Sequence, residues 1–471
     1  MDYLPWVLNQ LHIYDQAHGT KSLDVFSVHY YPQENNVSGG AVDLTTENLR
    51  NQSTRALWDP TFTDPSWINA KVNLIPRLQG WVNTYYPGLK VDVSEYNFGA
   101  EGNMNGATAQ ADVLGIFGRQ GLDMANRWTT PATNSPSYLA MKMYRDYDGH
   151  DSTFGQTNVR ATVANPDQVS AFASVRSDGA LTVMVINKNL FSLPNSSATT
   201  PITINLSDFA HGSSAQLWQL AATDPTNQNN AAISHLGDVS FVGDTLSINA
   251  PMGSVSLFVI PAAVPAKVAS IQVNDGNAQR SEVRSISVTF TDAVTFAGGN
   301  ANAAAAFALR HVQTGNNVVL AAAVSLNAGG QTVVKLTFSG GETDTFSTQG
   351  TANPVDGLSL ADGRYTLTIN GAAITGSNGL AVDAAGNGTA GSTYISPADT
   401  FGGSGLHLYR LYGDVNGDGV VDSTDLGMVR STFNSNNSQS NYIQYLDANN
   451  DGVFDSTDLG QFRTRFNANV F

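Results

Sequence analysis

Over the first 150 residues the apolar positions keep switching between two spacings. Leu4, Val7, Leu8, Leu11 and Tyr14 recur at helical intervals, so the chain opens on an amphipathic helix. Val25-Phe26-Ser27-Val28-His29-Tyr30-Tyr31 then reads as a strand, and the stretch from Trp67 to Tyr85 as a helix. Val91-Asp92-Val93-Ser94-Glu95-Tyr96 alternates as a second strand, running into Asn97-Phe98-Gly99. A helix over Ala109–Gln120, a short strand from Leu122 to Trp128 and a closing helix from Ser137 to Tyr147 complete the segment. Strands and helices in alternation predict a β/α organisation.

Past Phe154 the period becomes two. Val169–Arg176, the turn Ser177-Asp178-Gly179, Leu181–Asn187, Ile202–Leu206 and Val255–Ile260 read as the strands of a β-sandwich. Ala262-Ala263-Val264-Pro265-Ala266 reads as a linker. Beyond it, Ile286, Val288 and Phe290, and later Tyr365, Leu367 and Ile369, carry the pattern of half-buried strands in a second sandwich. Neither sandwich shows a cluster of titratable side chains in its sequence, so both read as packing or spacer modules. Gly402-Gly403-Ser404-Gly405 reads as a flexible joint before the tail.

The tail is an internal repeat. Asp414–Asn434 and Asp447–Asn467 agree at 14 of 21 positions. Each copy opens with a loop whose oxygen donors stand at positions 1, 3, 5, 9 and 12, with a backbone carbonyl at 7 and glycine at 6. The candidate calcium ligands are Asp414, Asn416, Asp418, Val420, Asp422 and Asp425, and Asp447, Asn449, Asp451, Val453, Asp455 and Asp458. Hard oxygens at this density repel one another without a cation, so folding of the tail is expected to depend on Ca2+. Each loop leads into an apolar helix: Leu426, Val429 and Phe433 in one copy, Leu459, Phe462 and Phe466 in the other. The tail resembles a type I dockerin from about Tyr412 to Phe471, including Ser423-Thr424 and Ser456-Thr457 where dockerins often contact cohesin. The resemblance implies a secreted carbohydrate-degrading system, an extracellular location and a cohesin-like partner.

Composition narrows the field. Charged residues are 13% of the 471 and the net charge is -16, which provides no basic stripe for phosphates and excludes nucleic acid as a natural partner. No apolar run is long enough to span a bilayer, so no membrane role is expected. The absence of cysteine removes disulfide and thiolate chemistry. Five of the six tryptophans, Trp6, Trp58, Trp67, Trp81 and Trp128, fall in the front segment, where aromatic faces can stack on sugar rings.

Against that background the front segment acquires a chemistry. A carboxylate at the C-terminal end of a barrel strand is held rigidly and faces the open mouth, where it can attack an anomeric carbon. Asp24-Val25-Phe26-Ser27-Val28-His29-Tyr30-Tyr31-Pro32, Ser94-Glu95-Tyr96-Asn97, Asp123-Met124-Ala125-Asn126-Arg127-Trp128 and Met141-Lys142-Met143-Tyr144-Arg145-Asp146-Tyr147-Asp148-Gly149 together resemble glycoside hydrolase family 44. That resemblance extends to about Pro261. It implies part of a (β/α)8 barrel, about strands 6–8, followed by the family's β-sandwich. It also implies Glu95 as the nucleophile of a retaining endo-β-1,4-glucanase, with His29, Tyr30, Tyr96 and Trp128 lining a cleft for a β-glucan such as cellulose or xyloglucan.

One element of that chemistry is missing. The family's acid/base glutamate sits in an Asn-Glu-Pro motif, and no such tripeptide occurs in the chain. Glu34, Glu47 and Glu101 are expected on loops, with nothing to place them opposite Glu95. A full barrel takes about 250 residues, so the chain is expected to be an N-terminally truncated glucanase whose isolated turnover is small. The fold expected is multidomain: a partial barrel over 1–152, a glycosidase-associated sandwich over 153–262, an Ig-like sandwich over 267–397, and a small helical dockerin-like repeat with two EF-hand-like loops over 406–471. The alternative reading is a non-catalytic, calcium-dependent assembly protein that docks onto a cohesin-like partner.

Overall fold

The computed structural model describes residues 2–190, 199–224, 226–344, 346, 358–397 and 406–471. The expected joint at Gly402–Gly405 lies outside them. The chain forms two compact units, Met1–Ala262 and Ala263–Phe471.

In the first unit, helix α1 (Tyr3–His18) leads to strand β1 (Val25–Tyr30). Helices α2 (Leu44–Ser53) and α3 (Leu74–Tyr85) precede strand β2 (Lys90–Tyr96). Then come α4 (Met104–Gln120), β3 (Met124–Arg127) and α5 (Pro136–Arg145). The strands form one parallel sheet in the order β1-β2-β3.

Two expectations change. The helix expected from Trp67 begins only at Leu74, because Asn69 and Asn73 take left-handed backbone (φ 39° and 43°) and interrupt the turn. Glu47, expected on a loop, lies on α2, a polar helix capped by Asp43, whose side chain accepts from the Thr46 N–H at 3.1 Å.

Helix α4 is the centre of this unit. Its Ala- and Gly-rich sequence leaves little side chain around the axis, and it is buried on nearly all sides. A Cβ at Gly115 would lie 2.2 Å from the Phe172 ring, so only glycine lets that ring close on the helix. Phe172 belongs to a six-stranded antiparallel sheet built from β4 (Thr157–Val159), β5 (Val169–Val175), β6 (Leu181–Asn187), β8 (Ser214–Asp224), β9 (Asn227–Ser240) and β11 (Ser254–Ile260). The pair β7 (Thr199–Asn205) and β10 (Thr245–Pro251) forms the facing layer.

Met104, Ile116, Met143, Phe172, Met184, Leu220 and Leu257 share one core, so the α/β part and the sandwich are not separable layers. A buried ion pair crosses the same boundary. Asp112 of α4 takes the Lys188 ammonium at 2.8 Å, with both side chains at most 2% exposed.

In the second unit, β12 (Val268–Val273), β13 (Ser285–Phe290), β16 (Val319–Leu326) and β17 (Thr332–Ser339) make a four-stranded sheet in the order β12-β13-β17-β16. Facing it are the pair β14 (Val294–Phe296) and β19 (Ile374–Gly376), and a sheet of β15 (Phe307–His311), β18 (Gly363–Asn370) and β20 (Thr393–Ile395). Val288, Phe290, Leu336, Leu367 and Ile369 fill the space between them. This sandwich is less inert than its sequence implied: His311 Nδ1 pairs with the Glu342 carboxylate in its interior. Strand β21 (Tyr409–Arg410) joins the edge of β18 and leads into the tail, where α6 (Ser423–Thr432), β22 (Ser435–Asn436), β23 (Val453–Phe454) and α7 (Ser456–Arg465) enclose Tyr412, Val429, Phe454 and Phe462.

Candidate functional site

Glu95 is the penultimate residue of β2, at the C-terminal end of the parallel sheet. The pairing of β1 with β2 skips a residue there: Val28 pairs with Val93, but His29 pairs with Glu95. This bulge breaks strict alternation, so Ser94 and Glu95 are both partly exposed between the buried Val93 and Tyr96. Two side chains meet at one carboxylate oxygen. Tyr31 Oη donates to Glu95 Oε2 at 2.9 Å, and His29 Nδ1 stands 3.2 Å from the same atom. Desolvation, and next the hydrogen bond to Glu95, raise the Tyr31 phenol above its ordinary range, so it remains a donor at neutral pH.

His29 and Trp128 are exposed on the surface around Glu95, whereas Tyr30 and Tyr96 are 7% and 2% exposed and lie beneath it. Tyr96 Oη accepts from Gln110 Nε2 at 3.0 Å, and the Trp128 N–H donates to the Tyr96 carbonyl at 2.8 Å, which ties the ends of β2 and β3 together. Tyr31 was not singled out from the sequence as a site residue. It lies 64 residues from Glu95, and only the strand register brings the two together.

Of the three candidate second carboxyls, only Glu101 is held by a described cation. Glu101 lies 2.8 Å from an Arg127 guanidinium nitrogen and also accepts from Asn97 and Thr129. Burial raises its pKa, but the Arg127 hydrogen bond and charge outweigh that and hold it below the usual carboxylate range. A group held ionised in this way is a poor proton donor. Glu34 is 4% exposed, in a turn after β1, and Glu47 sits on α2. Behind the Glu95 turn, Arg50 is fully buried and donates to the carbonyls of Val37, Gly39, Ala41 and Phe98, fixing the loops that flank the end of β2.

In the tail, each repeat places loop position 9 as the cap of a helix and position 12 as its third residue. Asp422 caps α6 with Asp425 returning the bond, and Asp455 caps α7 with Asp458 doing the same. Gly419 and Gly452, at position 6, have φ 84° and 86°. Asp414, Asp425, Asp447 and Asp458 are at most 3% exposed, and no Lys or Arg is among their described partners. Their oxygens accept instead from loop N–H groups, such as Gly419 N to Asp414 at 2.9 Å and Ala448 N to Asp458 at 2.8 Å. Burial, with a smaller contribution from Asp447, pushes Asp458 up to about 6, and burial likewise raises Asp414. Among the described residues no three acidic or imidazole side chains converge tightly enough to hold a metal. Even so, buried carboxylates without a counter-charge, on loops of this form, are a donor set that fits calcium.

A family model described as glycoside hydrolase family 44 matches residues 1–34, and one described as the dockerin type I domain matches residues 412–467. The two matches lie at the opposite ends of the chain. Endoglucanase A of Paenibacillus lautus is 34% identical over 250 residues, covering 51% of this chain and 35% of the relative. Beta-mannanase/endoglucanase A of Caldicellulosiruptor saccharolyticus is 28% identical over 278 residues, covering 54% and 20%. Among solved structures, CelM2, a bifunctional glucanase-xylanase protein from a metagenome library, is 57% identical with a TM-score of 0.52, covering 56% of this chain and 48% of that one. The chain therefore spans about a third of the first of these curated relatives and half of the solved one. Type I dockerin domains as a class bind calcium, and no helix among the described residues is long and apolar enough to cross a membrane.

Proposed function

We propose that this chain is the C-terminal part of a secreted, extracellular, retaining endo-hydrolase of β-1,4-glucans such as cellulose or xyloglucan, with Glu95 as its nucleophile. In this reading β1, β2 and β3 are strands 6–8 of a (β/α)8 barrel. The domains run over 1–152, 153–262, 267–397 and 406–471. The observation that carries the reading is the environment of the Glu95 carboxylate. Tyr31 donates to Oε2 and His29 Nδ1 lies 3.2 Å from the same oxygen, which orients the carboxylate and leaves Oε1 to attack the anomeric carbon. His29 and Trp128 present polar and aromatic surface to the sugar, while Tyr30 and Tyr96 support them from below.

Retaining hydrolysis needs a second carboxyl about 5–5.5 Å from the nucleophile, which protonates the leaving oxygen and then activates water. Glu101 is bound to Arg127, and Glu34, though burial raises its carboxyl to about 7, is enclosed beneath the surface where no leaving oxygen reaches it. The acid/base is therefore assigned to a part of the enzyme that this chain does not carry. The tail would hold two calcium ions, one through Asp414, Asn416, Asp418, Asp422, Asp425 and the Val420 carbonyl, the other through Asp447, Asn449, Asp451, Asp455, Asp458 and the Val453 carbonyl. Calcium would neutralise the buried carboxylates and fix the loop-to-helix turns. The exposed pairs Ser423-Thr424 and Ser456-Thr457 would then face a cohesin-like partner.

An activated 2-deoxy-2-fluoro-cellobioside with a dinitrophenolate leaving group needs no general acid, so it tests the nucleophile alone. Peptide mass spectrometry is expected to find the sugar on Glu95 and no adduct in Glu95→Gln. A label on another carboxylate, or one that persists in that variant, refutes the assignment.

A further inference from the structure

The two copies of the repeat differ at the fourth loop position, which is Gly417 in the first and Asn450 in the second. Both residues have positive φ, 78° and 58°, a conformation that asparagine tolerates. Backbone conformation therefore does not explain the glycine. A neighbour does: a Cβ at Gly417 would lie 2.0 Å from the Ala278 carbonyl oxygen. Ala278 belongs to the turn between β12 and β13 of the second sandwich, and that turn follows the first loop closely.

The Arg280 N–H donates to the Asp414 carbonyl at 3.0 Å, and the Leu411 N–H donates to the Arg280 carbonyl at 3.0 Å. The Gly413 N–H donates to Ser281 Oγ at 2.9 Å, and that hydroxyl donates onward to the Tyr445 carbonyl at 2.8 Å. The backbone on both sides of the first calcium donor is thus tied to the sandwich. A clamp farther out holds the same junction. Asp362 accepts from Arg410 and from the Tyr412 N–H, each at 2.8 Å, and also from Arg465 of α7. Arg410, 2% exposed, binds Asp344 at 2.7 Å as well.

We infer that the turn over residues 277–284 is a structural wall of the first calcium loop. Calcium affinity at that loop then depends on the second sandwich, and the sandwich's stability depends on calcium. The inference rests on the calcium reading above and adds a role for a domain otherwise read as a spacer. Its physical basis is preorganisation: a loop whose backbone is already held loses less freedom when the ion binds. Linkage makes the effect reciprocal, because whatever the sandwich adds to calcium affinity, calcium returns to the sandwich.

The test is Gly417→Asn in the full chain, which installs the residue that the second loop already carries and leaves every oxygen donor in place. Calcium titration calorimetry on chelator-treated protein is expected to show two sites in the wild type. In the variant one of them should be weakened about tenfold, within the usual span of coupling between sites. The calcium-induced rise in the melting temperature of the second unit should shrink with it. Asp362→Asn, which touches neither loop, is expected to weaken the same site by a smaller factor, and it decides the matter if Gly417→Asn fails to fold. Two sites of wild-type affinity in both variants would overturn the inference and leave the calcium reading standing. A wild-type chain that takes up no calcium would overturn both.

Discussion

Replacing Asp112 by Asn probes the joint between the α/β part and the first sandwich. The carboxylate accepts from Lys188 Nζ at 2.8 Å and from Thr54 Oγ1 at 2.7 Å, and both ionic side chains are at most 2% exposed. Losing the charge leaves the ammonium with neutral acceptors only, the new amide oxygen and the Asn51 carbonyl at 3.4 Å. Removing one partner of a buried pair costs about 3–5 kcal/mol, mostly because the other charge stays out of water. Lys188→Met should cost a similar amount. The double variant Asp112→Asn/Lys188→Met should recover about 2–3 kcal/mol relative to the sum of the singles, since the two charges of the pair are removed together. All six tryptophans lie at or before Trp218, so their fluorescence in a urea titration follows the first unit alone. With an m-value of about 2–3 kcal/mol/M, each single substitution should lower the midpoint by roughly 1–2 M. Single losses below about 1 kcal/mol, or strict additivity in the double variant, would refute the reasoning.

Three further outcomes are expected. Tyr31→Phe removes one donor from Glu95 and should slow labelling of Glu95 by the fluoro-glycoside about 10- to 100-fold, as befits a hydrogen bond to a charged group; an unchanged rate would show that Tyr31 does not position the carboxylate. Chelating calcium should lower the melting temperature of the second unit, since an ion at about 1,000 times its Kd adds about 4 kcal/mol; identical melting curves with calcium and with chelator would count against the ligand set. Burial raises the pKa of Asp362, but the charges of Arg410 and Arg465 outweigh it and hold the carboxyl below its ordinary value. Its contribution is therefore present above the ordinary carboxylate pKa and is lost as pH falls through the lower folded value, so Asp362→Asn should flatten the acid limb of the second unit's stability curve, and a parallel curve would dismiss the clamp.

The parts legible in the sequence are those whose cause is local. Alternation marked β1 and β2, and the spacing of the repeat marked the two capped loop-to-helix turns of the tail, because each pattern is written within a dozen residues. Helix α2 was missed: Leu-Thr-Thr-Glu-Asn-Leu-Arg-Asn-Gln-Ser has little apolar periodicity, and it is held by the Asp43 cap and by the buried Arg50 bonding to distant carbonyls. Glu95 stood out as a strand-end carboxylate, but its partner Tyr31 did not, because their meeting depends on a bulge between two strands. The difference between Gly417 and Asn450 has its cause in the Ala278 carbonyl, which lies in a turn far earlier in the chain. What the sequence withheld is what depends on segments far apart in the chain.

The parallel sheet has one further consequence. Among the described residues β1 and β3 each have a strand neighbour on one side only, and α1 turns Tyr3, Trp6, Ile13 and Tyr14 outward at 49–73% exposure. Unpaired strand edges and an exposed apolar helix face are both adhesive. Against that adhesion stands the shared net charge of -16, which makes two molecules repel. That repulsion reaches about 10 Å at 0.1 M salt and about 3 Å at 1 M. Ionic strength is therefore expected to set whether solutions of this chain stay dispersed, and light scattering that stays flat between about 0.1 and 1 M salt would refute it.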